Sequence, residues 1–307
     1  MQACPPGRAV GTEGEDRMVN GAGEVHLRPG NRKSARVWTL DHGTARLRPD
    51  HLATEEPMEI RLIAGGVKHT IAVTMRTPGN DFELAAGFLH GEGVIGGPED
   101  IAQISYCVDR SVDAAQQYNI VNVTLRQGVL PDLVSLERHF FASSACGVCG
   151  KASLEALQVR QCPVIPAGPE VPVDVIYSLP ETLQASQGVF RSTGGLHAAA
   201  LFDTSGRLLQ SREDVGRHNA VDKLVGWALL EGKLPLRECI LLVSGRTSYE
   251  ILQKSLAAGI PIVCAISAPS SLAVDVAREF GITLIGFLRD QRCNVYSSRE
   301  RIVLPKG

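Results

Sequence analysis

The sequence predicts an α/β protein with a mixed, mostly parallel sheet that carries helices on both faces, and with a smaller β-rich N-terminal lobe. Two observations indicate this fold class. From Asp214 onward, short apolar segments alternate with segments whose apolar residues recur at helical spacing, which is typical of a sheet covered by helices. Up to Leu125 the pattern is instead mixed and largely antiparallel, with short strands joined by glycine-containing turns.

The composition and charge are those of an ordinary globular protein. The 307 residues are 44% hydrophobic and 21% charged, with a formal net charge of −2, which gives no general reason to expect nucleic acid as a partner. Apolar runs such as 260–266 are much shorter than the roughly 20 residues that a membrane-spanning helix needs. Residues 1–34 lack the apolar core of a signal peptide, so we expect a disordered N-terminal tail and a cytoplasmic protein with no membrane partner.

Residues 35–135 are predicted to form the β-rich lobe. Its clearest feature is the glycine pair Gly65-Gly66 between two apolar segments, because adjacent glycines suit the tight turn of a β-hairpin. Apolar residues between Phe82 and Leu89 recur at the spacing of a short amphipathic helix. The predicted strands of the lobe are 58–63, 67–75, 101–108 and 118–125.

Residues 136–307 are predicted to form the α/β domain, which begins with a cysteine-containing loop. Its first helix is expected at Ser178 to Gln187, with Pro180 near its start. A hairpin follows, turned by residues 203–206. The later elements alternate: helix 217–231, strand 239–243, helix 248–258, strand 261–266, helix 272–280, strand 282–287 and an edge strand with a tail over 293–304.

Cys146 and Cys149 stand three residues apart among small residues, before a predicted helix and close to Lys151. A helix N-terminus and an ammonium group both favour the thiolate, so we expect at least one of these cysteines to titrate below the usual value. The pattern leaves three interpretations open: reactive sulfur chemistry, which we favour, one half of a zinc site, or a passive pair. Cys239 and Cys264 lie in apolar runs and are expected to be buried.

Small, polar and often basic residues follow the predicted strands of the α/β domain. In an open α/β sheet the ligand crevice lies at the carboxyl ends of the strands. Backbone N–H groups, hydroxyls and guanidinium groups that converge there favour phosphate or pyrophosphate, although a single Ser or Thr before a helix is usually only its cap. The segments are 212–218, 244–248, 267–271 and 288–292, and the candidate ligand-binding residues in the first two are Arg217, His218, Ser244, Arg246, Thr247 and Ser248.

Two histidines fall near these segments. His197 follows Gly194-Gly195 and begins a strand, where it could exchange a proton with the cysteine loop or serve as a core or capping residue. His218 near a helix start fits contact with a ligand. The chain has neither the lysine-containing phosphate loop nor a Gly-x-Gly-x-x-Gly run after a strand, which argues against nucleotide hydrolysis and dinucleotide redox chemistry.

Five runs of residues, taken together, are distinctive. They are Cys-Gly-Val-Cys-Gly at 146–150, Arg-Ser-Thr-Gly-Gly-Leu-His at 191–197, Glu-Asp-Val-Gly-Arg-His-Asn-Ala-Val-Asp-Lys at 213–223, Ser-Gly-Arg-Thr-Ser-Tyr-Glu at 244–250 and Phe-Leu-Arg-Asp-Gln-Arg at 287–292. These runs resemble the formate dehydrogenase accessory sulfurtransferase family, FdhD, from about Val37 to the C-terminus. The resemblance implies a fold similar to that of cytidine deaminases, and a homodimer.

The resemblance also implies a cytoplasmic sulfur carrier. Cys146 would carry persulfide sulfur from a cysteine desulfurase and pass it to the molybdenum cofactor, molybdenum bis(molybdopterin guanine dinucleotide), which formate dehydrogenase then receives. We expect Cys149 to assist transfer or to release the sulfur by forming a disulfide, and a guanine nucleotide to mimic the cofactor. The family's cofactor-binding segment corresponds to Phe287, Leu288, Arg289, Asp290, Gln291 and Arg292.

Two other functions remain as alternatives. One is a zinc-dependent, deaminase-like hydrolase; however, such enzymes need His-x-Glu or Cys-x-Glu upstream of the cysteine pair, and no such tripeptide precedes Cys146. The other is a non-catalytic cofactor-binding chaperone, whose cysteines act only as a redox latch. A thioredoxin-like oxidoreductase fits less well, because the usual Trp and Pro around such a pair are missing.

Overall fold

The computed structural model describes residues 17–19, 25–27, 29–109, 111–128, 130 and 164–305. Residues near the N-terminus form two small antiparallel ladders. β1 (Arg17–Val19) pairs with β2 (Val25–Leu27), and β3 (Arg32–Asp41) pairs with β4 (Thr44–Ala53) along its whole length. Both short strands, and the first residues of β3, fall within the range 1–34 that the sequence suggests is a tail.

The N-terminal lobe is a four-stranded mixed sheet with one helix packed on it. The predicted hairpin at Gly65-Gly66 is confirmed, and the strand order is β6-β5-β8-β7 with β5 and β8 parallel. Every second residue of β5 is buried against the helix, from Met58 to Ala64, as expected for a sheet with one covered face. The elements are β5 (Glu56–Ala64), β6 (Val67–Arg76), α1 (Asp81–Gly91), β7 (Ile101–Tyr106), α2 (Ala114–Gln117) and β8 (Ile120–Leu125).

The α/β domain contains a six-stranded sheet with the order β11-β10-β12-β13-β14-β15. Its elements are β9 (Val171–Pro172), α3 (Val173–Ser186), α4 (Gly188–Thr193), β10 (His197–Asp203), β11 (Leu208–Asp214), α5 (Arg217–Leu230), β12 (Cys239–Val243), α6 (Tyr249–Ala257), β13 (Ile262–Ala265), α7 (Ser271–Glu279), β14 (Thr283–Arg289), β15 (Arg292–Ser297) and β16 (Ile302–Val303). β16 pairs with β9 outside this sheet, so the predicted C-terminal edge strand and tail are in fact two separate strands.

The sheet is mixed, and its parallel part is limited to the centre. β12, β13 and β14 are parallel neighbours, whereas β10 pairs antiparallel with both β11 and β12, and β15 pairs antiparallel with β14. Four strands therefore run in one direction, but only two of the five pairings are parallel. The prediction of a mostly parallel sheet is therefore confirmed for the direction of the strands. It is wrong for their pairing, because an antiparallel hairpin forms each edge of the sheet.

Helices cover both faces of the sheet, as predicted. Alternate residues of β12 enter different cores: Leu241 and Val243 pack with α5, α6 and α7, and Ile240 and Leu242 pack with α3. A strand with both faces buried is apolar throughout, which explains why β12 has no polar residue. Cys239 and Cys264 are buried, in opposite cores, as expected.

The boundary predicted for α3 is wrong. The helix begins at Val173, five residues before Ser178, and Pro180 lies inside it. Proline inside a helix removes one backbone hydrogen bond, so it normally indicates a helix start. Here the buried face formed by Val173, Ile176, Leu179 and Leu183 packs against the sheet and compensates for the missing bond.

The two lobes are held together by a close crossing of α1 and α5 and by an ion pair. A Cβ atom added at Gly226 would overlap the carbonyl oxygen of Glu83, and one added at Gly87 would overlap that of Asp222. Arg212 donates two hydrogen bonds to the Glu83 carboxylate, at 2.6 and 2.7 Å. The division into residues 35–135 and 136–307 stays a prediction. Among the described residues, no helix is both long and apolar enough to span a bilayer.

Candidate functional site

The candidate site lies at the edge of the six-stranded sheet where β12, β13 and β14 end. β10 begins at this edge, because Ala199 near its start pairs with Val243 at the end of β12. β11 ends there, because its last residue, Asp214, pairs with His197. The topology thus brings the four polar segments of the sequence to one side of the domain.

Backbone hydrogen bonds join the loops that follow the three parallel strands. Thr247 N–H donates to the Ala268 carbonyl oxygen at 3.2 Å, and Ser270 N–H donates to the Thr247 carbonyl oxygen at 2.9 Å. The end of β14 is attached to the loop after β13, since Phe287 N–H donates to the Ser267 carbonyl oxygen at 3.1 Å. These backbone hydrogen bonds join the segments after β12 and β13 to each other and to the end of β14, so the three move as one unit.

His197, Arg217 and Arg246 lie together at one corner of this edge, and the two arginines make this corner positively charged. A Cβ atom on Gly245 would lie 3.2 Å from His197 Nδ1 and 3.8 Å from Arg217 Cβ, so the loop after β12 contacts both residues. Burial and the charges of Arg217 and Arg246 lower the pKa of His197, and Asp214 opposes this effect. Arg246 is exposed, and among the described residues Arg217 Nε is buried with no hydrogen-bond partner. An anion at this corner would meet guanidinium groups from two elements.

His218 is held between two side chains of the neighbouring segment. Its Nδ1 lies 3.0 Å from Glu250 Oε2, and its Nε2 lies 2.9 Å from Ser248 Oγ. Burial and the charges of Arg217 and Lys254 lower the pKa of His218, so the ring is neutral near pH 7. A neutral ring that donates Nδ1–H to the carboxylate accepts the serine proton at Nε2.

The run at 213–223 mainly builds the support for α5. Asp214 and Lys223 form a buried ion pair, with Oδ2 and Nζ 2.7 Å apart. Asp214 also accepts hydrogen bonds from Thr77 N–H, Gly216 N–H and Asn219 Nδ2, and Lys223 donates to the Thr77 carbonyl oxygen. These bonds attach the end of β6 to the start of α5 and so fix the position of the helix turn that carries two site residues.

Two neighbouring residues of the predicted edge are likewise engaged in structure. Arg212 Nε and Nη2 both donate hydrogen bonds to the Glu83 carboxylate. Glu213 accepts hydrogen bonds from the Val189 and Phe190 N–H groups at the start of α4, at 2.9 and 2.8 Å. Neither side chain is therefore placed to bind a ligand.

The segment Phe287 to Arg292 contains the irregular end of β14 and the tight turn into β15, and all of it except Leu288 is exposed. Phe287, Asp290 and Gln291 all have positive φ, at 54°, 50° and 56°, a conformation that costs non-glycine residues about 1 kcal/mol or more. The Phe287 side chain is 39% exposed at the edge of the sheet. Arg289 and Arg292 pair across the turn, and both are exposed.

Two predicted ligand-binding residues, Leu288 and Thr247, are instead buried, and a third, the half-buried Ser244, bonds to the backbone. Leu288 is fully buried in the core under α3. Ser244 Oγ accepts a hydrogen bond from Ala198 N–H at 2.9 Å, which continues the ladder between β10 and β12. Thr247 is fully buried, and among the described residues its Oγ1 has no hydrogen-bond partner. Leu288 and Ser244 therefore support the edge, whereas the buried Thr247 hydroxyl has no hydrogen-bond partner in the described part of the chain.

Cys146 and Cys149 lie outside the described residues, so their distance from the edge stays a prediction. Within the described ranges, the cysteines are Cys107, Cys239, Cys264 and Cys293, all of them free thiols. No group of three or more potential metal ligands occurs in this described part of the chain.

Glu250 is a functional candidate that the sequence did not single out. It lies in the distinctive run 244–250, two residues after Ser248, and this spacing was the available signal. Lys254 forms a buried ion pair with Asp222, with Nζ and Oδ1 2.7 Å apart, and lies one helical turn beyond Glu250. Burial raises the pKa of Glu250, and Lys254 opposes this effect.

The comparisons with known proteins all indicate the same family. The FdhD/NarQ family model matches residues 53–303. The chain is 52% identical to the sulfur carrier protein FdhD of Streptomyces avermitilis over 272 residues, which are 88% of this chain and 95% of that protein. It is 51% identical to the sulfur carrier protein FdhD of Mycobacterium tuberculosis over 261 residues, which are 83% of this chain and 92% of that protein.

A more distant relative and a solved structure agree with these matches. The sulfur carrier protein FdhD of Sulfurisphaera tokodaii is 48% identical over 271 residues, which are 88% of this chain and 99% of that protein. The crystal structure of a proposed formate dehydrogenase accessory protein from Desulfotalea psychrophila matches with a TM-score of 0.68 and 27% identity, over 89% of this chain and 99% of that one. The match therefore extends over both lobes, and the chain belongs to the FdhD/NarQ family.

Proposed function

We propose that this protein is a sulfurtransferase that receives persulfide sulfur from a cysteine desulfurase on Cys146. It transfers this sulfur to molybdenum bis(molybdopterin guanine dinucleotide), which formate dehydrogenase then uses. The relatives described as sulfur carriers support the carrier role, and the Desulfotalea neighbour's description supports formate dehydrogenase as the recipient. We further propose that the protein acts in the cytoplasm as a homodimer.

The observation that carries the cofactor part of the proposal is the basic edge built by Arg217 and Arg246. The cofactor is the substrate of this protein, and each of its nucleotide arms contains a pyrophosphate. Guanidinium groups bind such oxygens with charge-assisted hydrogen bonds, and the first turn of α6 adds backbone N–H groups and a favourable helix dipole. The exposed ring of Phe287 offers a flat apolar surface against which a guanine or pterin ring stacks.

The sulfur chemistry that we propose needs only thiols. The Cys146 thiolate attacks the outer sulfur of the donor persulfide, a new S–S bond forms, and the donor leaves as a thiolate. For release, the Cys149 thiolate attacks Cys146 Sγ, so a disulfide forms and the outer sulfur leaves as sulfide with the two electrons of the broken bond. A later reduction of this disulfide by a cellular thiol restores the carrier.

The test is intact mass spectrometry after incubation with a cysteine desulfurase and cysteine. We expect a gain of about 32 Da, one sulfur atom, that Cys146→Ala abolishes and Cys149→Ala retains. Cys293→Ala is the control, and it should load like the native protein. Loading that persists in Cys146→Ala, or no loading at all, overturns the carrier role; guanine nucleotide binding without loading would indicate the chaperone alternative.

A further inference from the structure

Glu250, His218 and Ser248 form a continuous hydrogen-bonded chain at the basic edge. Glu250 Oε2 lies 3.0 Å from His218 Nδ1, and His218 Nε2 lies 2.9 Å from Ser248 Oγ. All three residues are half-buried, so this group of side chains lies at the edge and not in the core. The proposed function gives no role to the proton that these three hydrogen-bonded side chains share.

Ser248 does not behave as an ordinary helix cap, although it stands at the start of α6. Ser270 occupies the same position one strand later, at the start of α7, and its Oγ accepts a hydrogen bond from Ala273 N–H. Ser248 makes no such bond, because its Oγ is engaged with His218 instead. The first turn of α6 therefore has no side-chain acceptor, which leaves it suited to an anion from outside.

A second feature beside this helix start also indicates a ligand. Thr247 precedes Ser248, is fully buried, and has a hydroxyl with no hydrogen-bond partner among the described residues. Arg217, which precedes His218 in α5, also has a buried Nε with no hydrogen-bond partner in that part of the chain. Buried polar groups are normally satisfied, so unused ones at one edge mark a place where a ligand completes the structure.

The direction of the hydrogen bonds decides what Ser248 can bind. With a neutral ring, His218 Nε2 accepts the serine proton, and Ser248 Oγ offers only lone pairs, which repel an anion. With a protonated ring, Nε2–H donates to Ser248 Oγ, and the serine hydroxyl proton is free to donate to an anion. Anion binding at Ser248 and protonation of His218 therefore favour each other.

The surrounding charges determine how readily the His218 ring is protonated before a ligand binds. Arg217, Lys254 and His197 all oppose a positive charge on the His218 ring, and Arg246 adds positive charge to the same corner. The Glu250 carboxylate favours the protonated ring, and Glu92 adds negative charge near Glu250. A bound dianion would neutralise part of the positive field and raise the affinity of the ring for a proton.

We propose that an anionic pyrophosphate ligand binds at this edge together with one proton, which His218 takes up and which turns the Ser248 hydroxyl toward the ligand. His218 is thus a positioning residue that acts through Ser248, and Glu250 stabilises its protonated form. This inference rests on the proposed function for the identity of the ligand class. It predicts that affinity depends on pH through a single named histidine.

The test is calorimetric titration of the full chain with guanosine diphosphate mannose, whose pyrophosphate diester neither gains nor loses a proton near neutral pH. Titrations in two buffers with different ionisation enthalpies, across about pH 5 to 8, measure the protons taken up. We expect uptake that approaches one proton per ligand, and an affinity that falls by up to about tenfold per pH unit as the pH rises. His218→Gln and Ser248→Ala should abolish the uptake, and Glu250→Gln should reduce it.

Two matched variants serve as controls. His90→Gln removes a half-buried histidine of α1, and Ser205→Ala removes an exposed serine of the turn between β10 and β11; both should keep the native proton uptake. Binding without proton uptake, or His218→Gln with the native pH dependence, overturns the inference and leaves the sulfur carrier role intact. Lack of binding at every pH overturns both the inference and the nucleotide part of the proposed function, whereas the persulfide test on Cys146 remains a separate result.

Discussion

Gly87 of α1 and Gly226 of α5 touch where the two helices cross. A Cβ atom at Gly226 would overlap the carbonyl oxygen of Glu83 and would also lie 2.7 Å from Gly87 N. Only glycine permits backbones to approach so closely. This contact fixes α5 against the N-terminal lobe, and the first turn of α5 carries two residues of the candidate site.

Gly226→Ala should therefore destabilise the protein. The added methyl group forces the helices apart, and overpacking of this kind typically costs about 1–3 kcal/mol. Gly188→Ala is the control, because a Cβ at Gly188 meets open space and alanine favours helix. Urea unfolding measures the difference, and equal stability of the two variants would contradict the close crossing.

Lys223→Met should also lower stability, by about 3–5 kcal/mol, because it leaves the buried Asp214 carboxylate without its cation. The exposed Lys233 provides the matched change, Lys233→Met, which should cost much less. Both are measured by chemical denaturation. A small cost for Lys223→Met would show that the remaining donors to Asp214 suffice.

Native Cys239 and Cys264 should react slowly with iodoacetamide. Burial raises the pKa of the Cys239 thiol to about 11 and raises that of Cys264 further, so little thiolate is present at neutral pH. Mass spectrometry of the alkylated peptides gives the rate at each cysteine. We expect rates at least about 100-fold below those in denaturant, where both thiols titrate near 8.5. Similar rates in the native and denatured states would contradict their burial.

Phe287→Ala should weaken binding of guanosine diphosphate mannose by about 1–3 kcal/mol, the usual loss when a base loses its stacking partner. The control is Val303→Ala, which removes a similarly exposed apolar side chain from β16, outside the six-stranded sheet. Calorimetry compares the dissociation constants. An unchanged value for Phe287→Ala would exclude stacking on this ring.

Secondary structure could be predicted well wherever one face of an element is buried. The hairpin at Gly65-Gly66 and the helix from Arg217 are confirmed because turn chemistry and apolar spacing agree there. The start of α3 was not predictable, since Pro180 indicated a boundary that tertiary packing overrides. The hairpin turned by residues 203–206 is likewise confirmed as the antiparallel pair β10–β11, whereas the antiparallel pairings of β10 with β12 and of β14 with β15 were not predicted, because apolar runs do not encode the direction of their partner strands.

The location of the site stays a prediction, and the structure shows only where its candidate residues lie. The sequence indicates that polar segments follow the strands, and the sheet topology brings these segments to one edge. The sequence could not separate Phe287, whose ring is exposed, from Leu288, whose side chain fills the core. Nor could it distinguish Ser248 from Ser270, which precede equivalent helices.

The sequence by itself determined the family, the alternation of strands and helices, and the candidate Cys146 and Cys149, because these depend on local spacing and residue type. Tertiary structure alone decided which polar residues support the fold and which remain available to a ligand. Asp214 and Lys223 form a buried ion pair with each other, whereas the Ser248 hydroxyl bonds to His218 and does not cap its own helix. The physical reason is that a hydrogen bond depends on atoms that approach within about 3 Å, and residues distant in sequence reach that separation only when the chain folds.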